Sequence, residues 1–392
     1  MKQNSSLSMA IEIMTEFADL TGVTQEGNTP RRYLWTDAFA VCNFLDLYRQ
    51  TNDNRYKDLA LLLVDQVHNI LGRHREDDSR TGWISGLDEK EGQMHPTKGG
   101  LRIGKKLNER GPSDHFDESL EWDSEGQYYH YLTKWMHALN CVSRVTGDRT
   151  YNMWAIELAK TVHARFVYIP SFVNQKRMYW KMSIDLSRPL VPSMGHHDPL
   201  DGFITYNQLQ LCVTDDSEKT PWPDLREEIT DMENICRGKN WVTDDQLGIG
   251  GLLCDACRVT QMIVSKDLDQ IDLLEILLDA SLQGLVSFSR TNSLNFPADY
   301  RLAFRELGLS IGIRAVKKLH GLIEEKPGMF KERHTLHGHI EALMRYSSLS
   351  KTIEVFWLER TSRETNSWRD HFDINIVMLA TSLAPNGFLT LC

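Results

Sequence analysis

The chain lacks the features that mark multidomain, secreted or membrane-spanning proteins. It has no Pro/Gly/Ser-rich linker, which favours a single domain over residues 1–392. Its seven cysteines are dispersed and odd in number, which argues against a disulfide framework and predicts reduced thiols in a cytoplasmic protein. No apolar run is long enough to span a bilayer, and the amphipathic N-terminus has no apolar segment of the kind found in a secretory signal. We therefore expect no membrane partner.

A basic stripe is also missing. The formal net charge is -10, with acidic and basic residues mixed along the chain. Because nucleic-acid binding relies on clustered Lys and Arg, the sequence argues against nucleic acid as a partner. Strand-like patterns are few and are confined to Arg165–Ile169 and Met178–Ile184. These absences leave an all-α fold.

What the chain does have is a repeated turn. Arg49–Tyr56 and Arg144–Tyr151 share the pattern Arg-x-Thr-x-Asp-x-x-Tyr. Apolar residues with helical spacing precede and follow each copy. Each copy therefore predicts a helical hairpin closed by a tight turn, with Asp53 and Asp148 near the start of the second helix.

Helical periodicity and caps extend this pattern to about twelve helices. They are predicted near 7–20, 35–50, 55–72, 124–146, 149–167, 201–214, 223–238, 246–264, 269–288, 299–323, 334–359 with a break near Ser347, and 368–383. Tight turns alternate with long loop insertions near 73–123 and 168–200. The predicted fold class is an all-α (α/α)6 toroid of six hairpins, with the even-numbered helices inside. An irregular helical bundle or an α-solenoid is the alternative.

Small residues in two predicted inner helices fit this arrangement. Gly250 and Gly251 lie in one of them, and Gly308 and Gly312 lie in another. Glycine within a helix lowers helix stability, so a packing reason is expected, namely close contact between helices.

In such a toroid the long loops lead to the N-termini of the inner helices. Functional residues concentrate on loops, and helix N-termini present free N–H groups and positive dipole ends. Trp35, Trp122, Trp241 and Trp368 lie at or just before predicted inner-helix starts. Aromatic faces at one rim predict a platform for the apolar faces of sugars, although each ring alone could be a helix-start packing contact.

Carboxylates gather at the same predicted rim. Asp37, Asp123, Asp201 and Asp198 lie near inner-helix starts, and Glu306 lies one turn into another. Any one of them could be an ordinary capping residue. Two that converge would supply the acid and the base or nucleophile of glycoside hydrolysis.

Histidines add to this set. His196 and His197 precede Asp198, His130 follows Tyr129 in the first turns of an inner helix, and His95 lies in the first long loop. The spacing around His196 matches no zinc signature, and the two cysteines at 254 and 257 lack a second pair. We therefore predict no metal and no cofactor.

The hairpins, rim aromatics and rim acids together resemble the six-hairpin glycosidase and N-acylglucosamine 2-epimerase group of (α/α)6 enzymes. Tyr33–Ala40, followed by Leu47-Tyr48 and by Thr51-x-Asp53, carries the resemblance. The resemblance implies activity on carbohydrates, by carboxylate pairs in hydrolases or by histidine pairs in epimerases.

The leading hypothesis is a glycoside hydrolase acting on a short oligosaccharide. Asp37 and either Asp123 or Asp201 would act as acid and base or nucleophile, with His197 also in the catalytic set. Substrate binding is assigned to a larger set: Trp35, His95, Trp122, Tyr129, His130, His196, Asp198, Trp241 and Glu306. The alternatives are a sugar epimerase or isomerase that uses paired histidines, and a sugar-binding toroid without catalysis. The oligomeric state is not predicted.

Overall fold

The computed structural model describes most of the chain, namely residues 2–24, 30–171, 175–212, 223–265, 268–330 and 333–391. The chain divides into two compact units. The N-terminal unit is Ala18–Gly238, and the C-terminal unit is Lys239–Leu391 together with Met1–Phe17. The single domain predicted for 1–392 stays a prediction.

Helices dominate both units. The first nine are α1 Lys2–Leu20, α2 Leu34–Thr51, α3 Asn54–Leu71, α4 Glu89–Met94, α5 Glu118–Asp123, α6 Tyr129–Thr146, α7 Thr150–Phe166, α8 Asp198–Gln210 and α9 Arg226–Cys236. The others are α10 Gln246–Val264, α11 Ile271–Thr291, α12 Ala303–Glu325, α13 Pro327–Phe330, α14 His334–Met344, α15 Ser347–Leu358, α16 Arg360–Arg363, α17 Asn366–Arg369, α18 Phe372–Leu383 and α19 Asn386–Leu389. The predicted all-α (α/α)6 class is confirmed in its helical content and its hairpins.

The strands are short and lie in the N-terminal unit. They are β1 Gln127–Tyr128, β2 Val167–Tyr168, β3 Arg177–Met178, β4 Lys181–Met182 and β5 Pro189–Val191. β4 lies between β1 and β5 in an antiparallel sheet, and β2 pairs with β3. The sheet formed by β1, β4 and β5 joins the two long loops of this unit to each other.

Three hairpins form the helical part of the N-terminal unit. α2 pairs with α3, α6 with α7, and α8 with α9, and the first helices of the three hairpins also pack side by side in the order α2, α6, α8. These three are the inner helices that were predicted from the alternation of connections. Their inner position explains why α2 is buried on almost every side from Leu34 to Leu47.

The repeated turn has one structure in both copies. Asn52 and Gly147 end α2 and α6 with φ of 58° and 75°, a left-handed conformation that Asn and Gly tolerate. The N–H groups of Asp53 and Asp148 donate to the threonine hydroxyls two residues earlier, at 3.3 and 3.1 Å. Each aspartate then accepts the N–H two residues later at 2.9 Å. The repeat therefore encodes the turn that reverses the chain, as the sequence predicted.

The small residues of the C-terminal unit mark a close helix contact. α12 packs against α10 and α18. A Cβ atom added to Gly250 of α10 would lie 2.1 Å from the carbonyl oxygen of Gly308 in α12, and one on Gly312 would lie 2.6 Å from the Cα atom of Gly250. Only glycine permits this approach, so the predicted packing role is confirmed for Gly250, Gly308 and Gly312. It is wrong for Gly251, where an added Cβ atom would have no atom within 4 Å.

α10 is also the helix that resembles a membrane span. It has 19 residues with a mean hydropathy of 1.3 over its best window. About 72% of that window is buried within the protein, which is typical of a core helix.

Candidate active site

The N-termini of α2, α6 and α8 meet at one end of the N-terminal unit. The hydroxyls of Tyr33, which precedes α2, and Tyr131 of α6 lie 2.6 Å apart. The rings of Trp35 and His130 have centroids 5.9 Å apart. Nδ1 of His130 lies 3.8 Å from Oδ1 of Asp198, the first residue of α8. The predicted convergence of inner-helix starts is therefore present in this unit.

Aromatic rings surround His130. Its imidazole is stacked on Tyr128, with centroids 5.5 Å apart, and is nearly parallel to Trp180 at 6.4 Å. Trp122 packs edge-on against Trp180 at 5.0 Å and is 48% exposed. We define the aromatic cluster by these rings and those of the preceding paragraph: Tyr33, Trp35, Trp122, Tyr128, Tyr131 and Trp180. Its exposed edge is Trp122.

The loops hold the outer rings in place through one buried lysine. Trp180 precedes β4, and Lys181 of β4 is fully buried. Its ammonium donates to the carbonyl oxygens of Glu121 and Ser124 at 2.6 and 2.9 Å and pairs with the Glu121 carboxylate at 2.9 Å. These bonds fix α5, and with it Trp122, against the strand that carries Trp180. Charge-assisted bonds of this kind are among the strongest in proteins.

Asp198 is the most perturbed acid in this part of the molecule. Burial and the nearby charge of Asp201 raise its pKa from 3.8 to about 8, although Lys134 and the N–H of Gly195 act in the opposite direction. Desolvation disfavours the charged form of a buried acid. Asp198 is therefore a neutral carboxylic acid at pH 7, able to donate a proton.

The pKa of His130 is shifted downward, opposite to that of Asp198. Burial, assisted by the positive charge of Lys134, lowers its pKa from 6.5 to about 4. Its imidazole is therefore neutral at pH 7, and its side chain keeps 28% of its surface exposed. A neutral base and a neutral acid thus lie side by side, which is a common property of acid–base sites.

Asp201 is held in place by α6. Both of its oxygens accept from the ammonium of Lys134 at 2.7 Å, and Oδ2 also accepts from the hydroxyl of Thr133 at 2.5 Å. Asp201 was predicted to be catalytic. Its contacts instead favour a role in positioning Lys134 beside Asp198 and His130.

Two other predicted catalytic acids lie on the α2 side. Asp37 is buried, accepts the N–H of Tyr33 at 2.9 Å and lies 3.6 Å from the guanidinium of Arg32. Its contacts close the first turn of α2, which is the capping role that the sequence left open. Asp123 ends α5 rather than beginning an inner helix, is exposed, and raises the pKa of nearby Tyr33, although burial is the larger cause.

Tyr129 and His95 lie away from the cluster, in contrast to their predicted role in substrate binding. Tyr129 is fully buried, and its hydroxyl donates to that of Tyr206 at 2.9 Å. Consecutive residues of a helix point in different directions, so Tyr129 enters the core where His130 enters the cluster. His95 bonds Glu157 of α7 at 2.6 Å, which attaches its loop to an outer helix.

The remaining predicted residues divide between the two units. His196 and His197 precede Asp198, with ring centroids 4.5 Å apart, and His196 is exposed. Trp241 and Glu306 belong to the C-terminal unit, where both are buried. Trp241 and Glu306 are therefore not part of the aromatic cluster of the N-terminal unit.

Sequence reasoning missed several residues of this site. Tyr33 and Tyr131 stand beside residues that were selected, so their adjacency to predicted helix starts was an available signal. Lys134 gave no signal, because its importance depends on Asp201, which is distant in sequence.

Among the described residues, the one group that could hold a metal ion is Cys42, His137 and Cys141, farther along α2 and α6.

Solved structures similar to this chain include two carbohydrate epimerases. One is a sugar epimerase from a ruminal bacterium, with 10% sequence identity, coverage of 96% of this chain and 98% of that chain, and a TM-score of 0.49. The other is cellobiose 2-epimerase from Bacillus thermoamylovorans, with 10% identity, coverage of 80% and 75%, and a TM-score of 0.43. No protein-family model matches the chain, and no curated protein matches its sequence.

Proposed function

We propose that this protein is a sugar epimerase or isomerase in which His130 and Asp198 form the acid–base pair. The observation that carries the proposal is the 3.8 Å contact between Nδ1 of His130 and Oδ1 of Asp198 inside the aromatic cluster. The opposite pKa shifts of the two groups support it, because they leave a base and an acid both uncharged at neutral pH. The similar epimerase structures have the same class of activity, but the proposal rests on the site.

The chemistry follows from those protonation states. The neutral imidazole of His130 takes the proton from the carbon beside the carbonyl of an open-chain sugar. The carboxylic acid of Asp198 gives its proton to the carbonyl oxygen, so that a neutral enediol forms. Reversal of both transfers restores the carbonyl. The epimer forms when the enediol turns its other face to His130 before the imidazolium returns the proton to the same carbon. The isomer forms when His130 gives this proton to the former carbonyl carbon and the hydroxyl on the adjacent carbon gives its proton to the Asp198 carboxylate.

The surroundings suit a sugar. The exposed ring of Trp122 and the half-buried ring of Trp180 offer faces for sugar C–H groups. Lys134 and Asp123 offer a cation and a carboxylate for hydroxyls at the edge of the cluster. These side chains would hold substrate while His130 and Asp198 exchange protons with it.

Glycoside hydrolysis is less well supported by the geometry. A hydrolase needs one carboxylic acid and one carboxylate free to act on water or on the sugar. Asp198 can be the acid, but both oxygens of the neighbouring Asp201 are held by Lys134. The experiment below therefore also detects hydrolysis.

Proton exchange with solvent separates these reactions. The protein is incubated in D₂O with aldoses, ketoses and reducing disaccharides, and the products are followed by NMR. We expect deuterium at the carbon next to the carbonyl, together with an epimeric or isomeric product. New reducing ends without deuterium would identify a hydrolase, and thermal protection without any product would identify a binding protein; either result would overturn the proposal.

Matched variants assign the reaction to the pair. Asp198→Asn and His130→Gln should each reduce the exchange rate by about 10²- to 10⁴-fold. His339→Gln is the control, because His339 of α14 also faces an aspartate, Asp279, at 3.5 Å on an outer helix pair. Equal losses in all three variants would point to a general effect on folding.

A further inference from the structure

Two cysteines and a histidine meet in the interior of the N-terminal unit. Cys42 comes from α2, and His137 and Cys141 come from successive turns of α6. The two sulfur atoms and a ring nitrogen lie within 4.8 Å of one another, and all three side chains are buried. The group is about two helical turns along α6 from His130, so it is separate from the acid–base pair.

The fold presents these groups in a fixed orientation. Residues four apart lie on one helix face, so His137 and Cys141 both point toward α2. The side-chain amide of Gln208 in α8 lies beside Nδ1 of His137, with its oxygen at 3.1 Å and its nitrogen at 3.0 Å. The amide nitrogen of Gln208 also donates to the side-chain oxygen of Asn140 at 2.7 Å. A hydrogen-bonded second nitrogen is what orients histidine ligands in metal sites. Nε2 of His137 is left facing the sulfur of Cys141.

The distances are those of a tetrahedral site. Sγ of Cys141 lies 3.6 Å from Nε2 of His137. Zinc–sulfur and zinc–nitrogen bonds of about 2.3 and 2.0 Å with tetrahedral angles separate the two ligand atoms by about 3.5 Å. The sulfur of Cys42 lies within 4.8 Å of both of these atoms.

The charge balance also suits a divalent ion. Cysteine binds metals as the thiolate. Two thiolates, a neutral imidazole and one Zn²⁺ give a net charge of zero, which suits a buried site.

We propose that Cys42, His137 and Cys141 bind a Zn²⁺ ion that joins α2 to α6 in the core of the N-terminal unit. Sequence analysis did not predict this site, because Cys42 and Cys141 belong to different hairpins. The pair with a familiar spacing, Cys254 and Cys257, is in the C-terminal unit. Burial there raises the pKa of Cys257 to about 12, so that its thiol stays protonated.

The test measures metal in the intact chain. The groups are buried, so the ion is supplied during refolding of the full-length protein from denaturant, and unbound metal is removed by gel filtration. Elemental analysis should find about one Zn²⁺ per chain. Refolding with Co²⁺ should give the thiolate-to-cobalt absorption of a site with two cysteine ligands.

Variants locate the ion. Cys42→Ser and Cys141→Ser should each remove the bound zinc and the cobalt absorption, whereas the double variant Cys254→Ser/Cys257→Ser should keep both. Wild-type protein should also unfold at a higher temperature after refolding with Zn²⁺ than after refolding with Mg²⁺, which tests the site even if a serine variant fails to fold. Absence of stoichiometric zinc in folded wild-type protein, or its loss only in the 254/257 variant, would overturn the proposal.

Discussion

The two units place the same kinds of residue at the starts of inner helices and use them differently. In the N-terminal unit the indole N–H of Trp35 and Nδ1 of His130 are buried without a hydrogen-bond partner among the described residues. In the C-terminal unit Glu306, in the first turn of α12, accepts two bonds from the guanidinium of Arg301, at 2.8 and 2.6 Å, and one from the indole N–H of Trp357 at 2.8 Å. The polar atoms of Trp35 and His130 therefore have no hydrogen-bond partner within the described residues, whereas the carboxylate of Glu306 is fully hydrogen-bonded by the protein.

This difference shows what an acid or a tryptophan at a helix start means. Glu306 is a structural anion, because three donors stabilise its charge. Asp198 is a candidate catalytic acid, because burial and a second carboxylate destabilise its charge. Both side chains are carboxylic acids in the first turn of a helix, and their partners decide their roles.

The largest expected effect concerns the pH dependence of activity. The active form requires a neutral His130, with a pKa of about 4, and a protonated Asp198, with a pKa of about 8. We expect kcat/KM to be highest between these values and to fall tenfold per pH unit above about pH 8, as Asp198 ionises. Activity that stays constant to pH 10 would contradict the assignment of Asp198 as the acid.

Substitution of Asp198 should abolish activity but raise stability. The pKa of Asp198 in the folded protein is above its ordinary value of 3.8, so the stability that it contributes is fully present below about pH 4 and is lost as the pH rises to about 8. Asp198→Asn removes this loss. The variant should therefore exceed wild type in free energy of unfolding at pH 8.5 by on the order of 6 kcal/mol, and urea unfolding at pH 5 and 8.5 measures the difference. A gain of the same size at both pH values would be inconsistent with it.

In the C-terminal unit, neutralising the comparable acid should destabilise the fold. Glu306→Gln leaves the buried Arg301 without its carboxylate partner. Removing one member of a buried ion pair lowers the free energy of unfolding by about 3 kcal/mol, which chemical denaturation at pH 7 detects. Stability equal to that of wild type would show that Glu306 is not satisfied by the fold, and the contrast between the units would disappear.

Trp122 tests whether the open rim binds substrate. Trp122→Ala removes a ring that is 48% exposed and contacts Trp180 and Tyr128 at centroid distances of 5.0 and 6.5 Å, so stability should change little. We expect KM to rise by about tenfold, equivalent to about 1.4 kcal/mol of lost binding, with kcat nearly unchanged. Trp122→Phe keeps an aromatic face and should recover much of the affinity; no recovery would favour a contact specific to the indole.

The smallest effect concerns a cap in the C-terminal unit. Asp245 precedes α10, accepts the N–H of Gly248 at 2.8 Å and pairs with Arg305. Asp245→Ala should lower the free energy of unfolding by about 1 kcal/mol, and Asp245→Asn by less, because asparagine also caps helices. If both substitutions have the same effect, the ion pair rather than the cap stabilises this helix start.

Much of the fold was predictable because its signals are local. Apolar spacing located the helices to within a few residues, and the Thr-x-Asp pattern located two turns. Gly250 and Gly308 indicated a close helix contact. The start of α6 was placed too early, near 124, because β1 occupies Gln127–Tyr128 and the helix begins only at Tyr129.

The candidate site was predictable in its region but not in its roles. His130, Asp198 and Trp35 were selected and lie together, whereas Tyr129, one residue from His130, faces the core. Asp37 and Asp198 have the same side chain and similar helix positions. Arg32 and a backbone N–H pair with the first, and burial beside Asp201 keeps the second protonated.

Local sequence patterns predicted where most helices lie to within a few residues, which connections are short, and which end of the inner helices carries aromatic and acidic residues. Those properties depend on neighbours within a few residues, through helical periodicity and capping. Long-range packing was needed to show that His130 lies beside Asp198, that Glu306 has its hydrogen-bond donors within the fold, and that Cys42 lies beside Cys141. The state of a charged or nucleophilic group depends on partners and solvent within a few ångströms, and those partners come from helices that are distant in the chain.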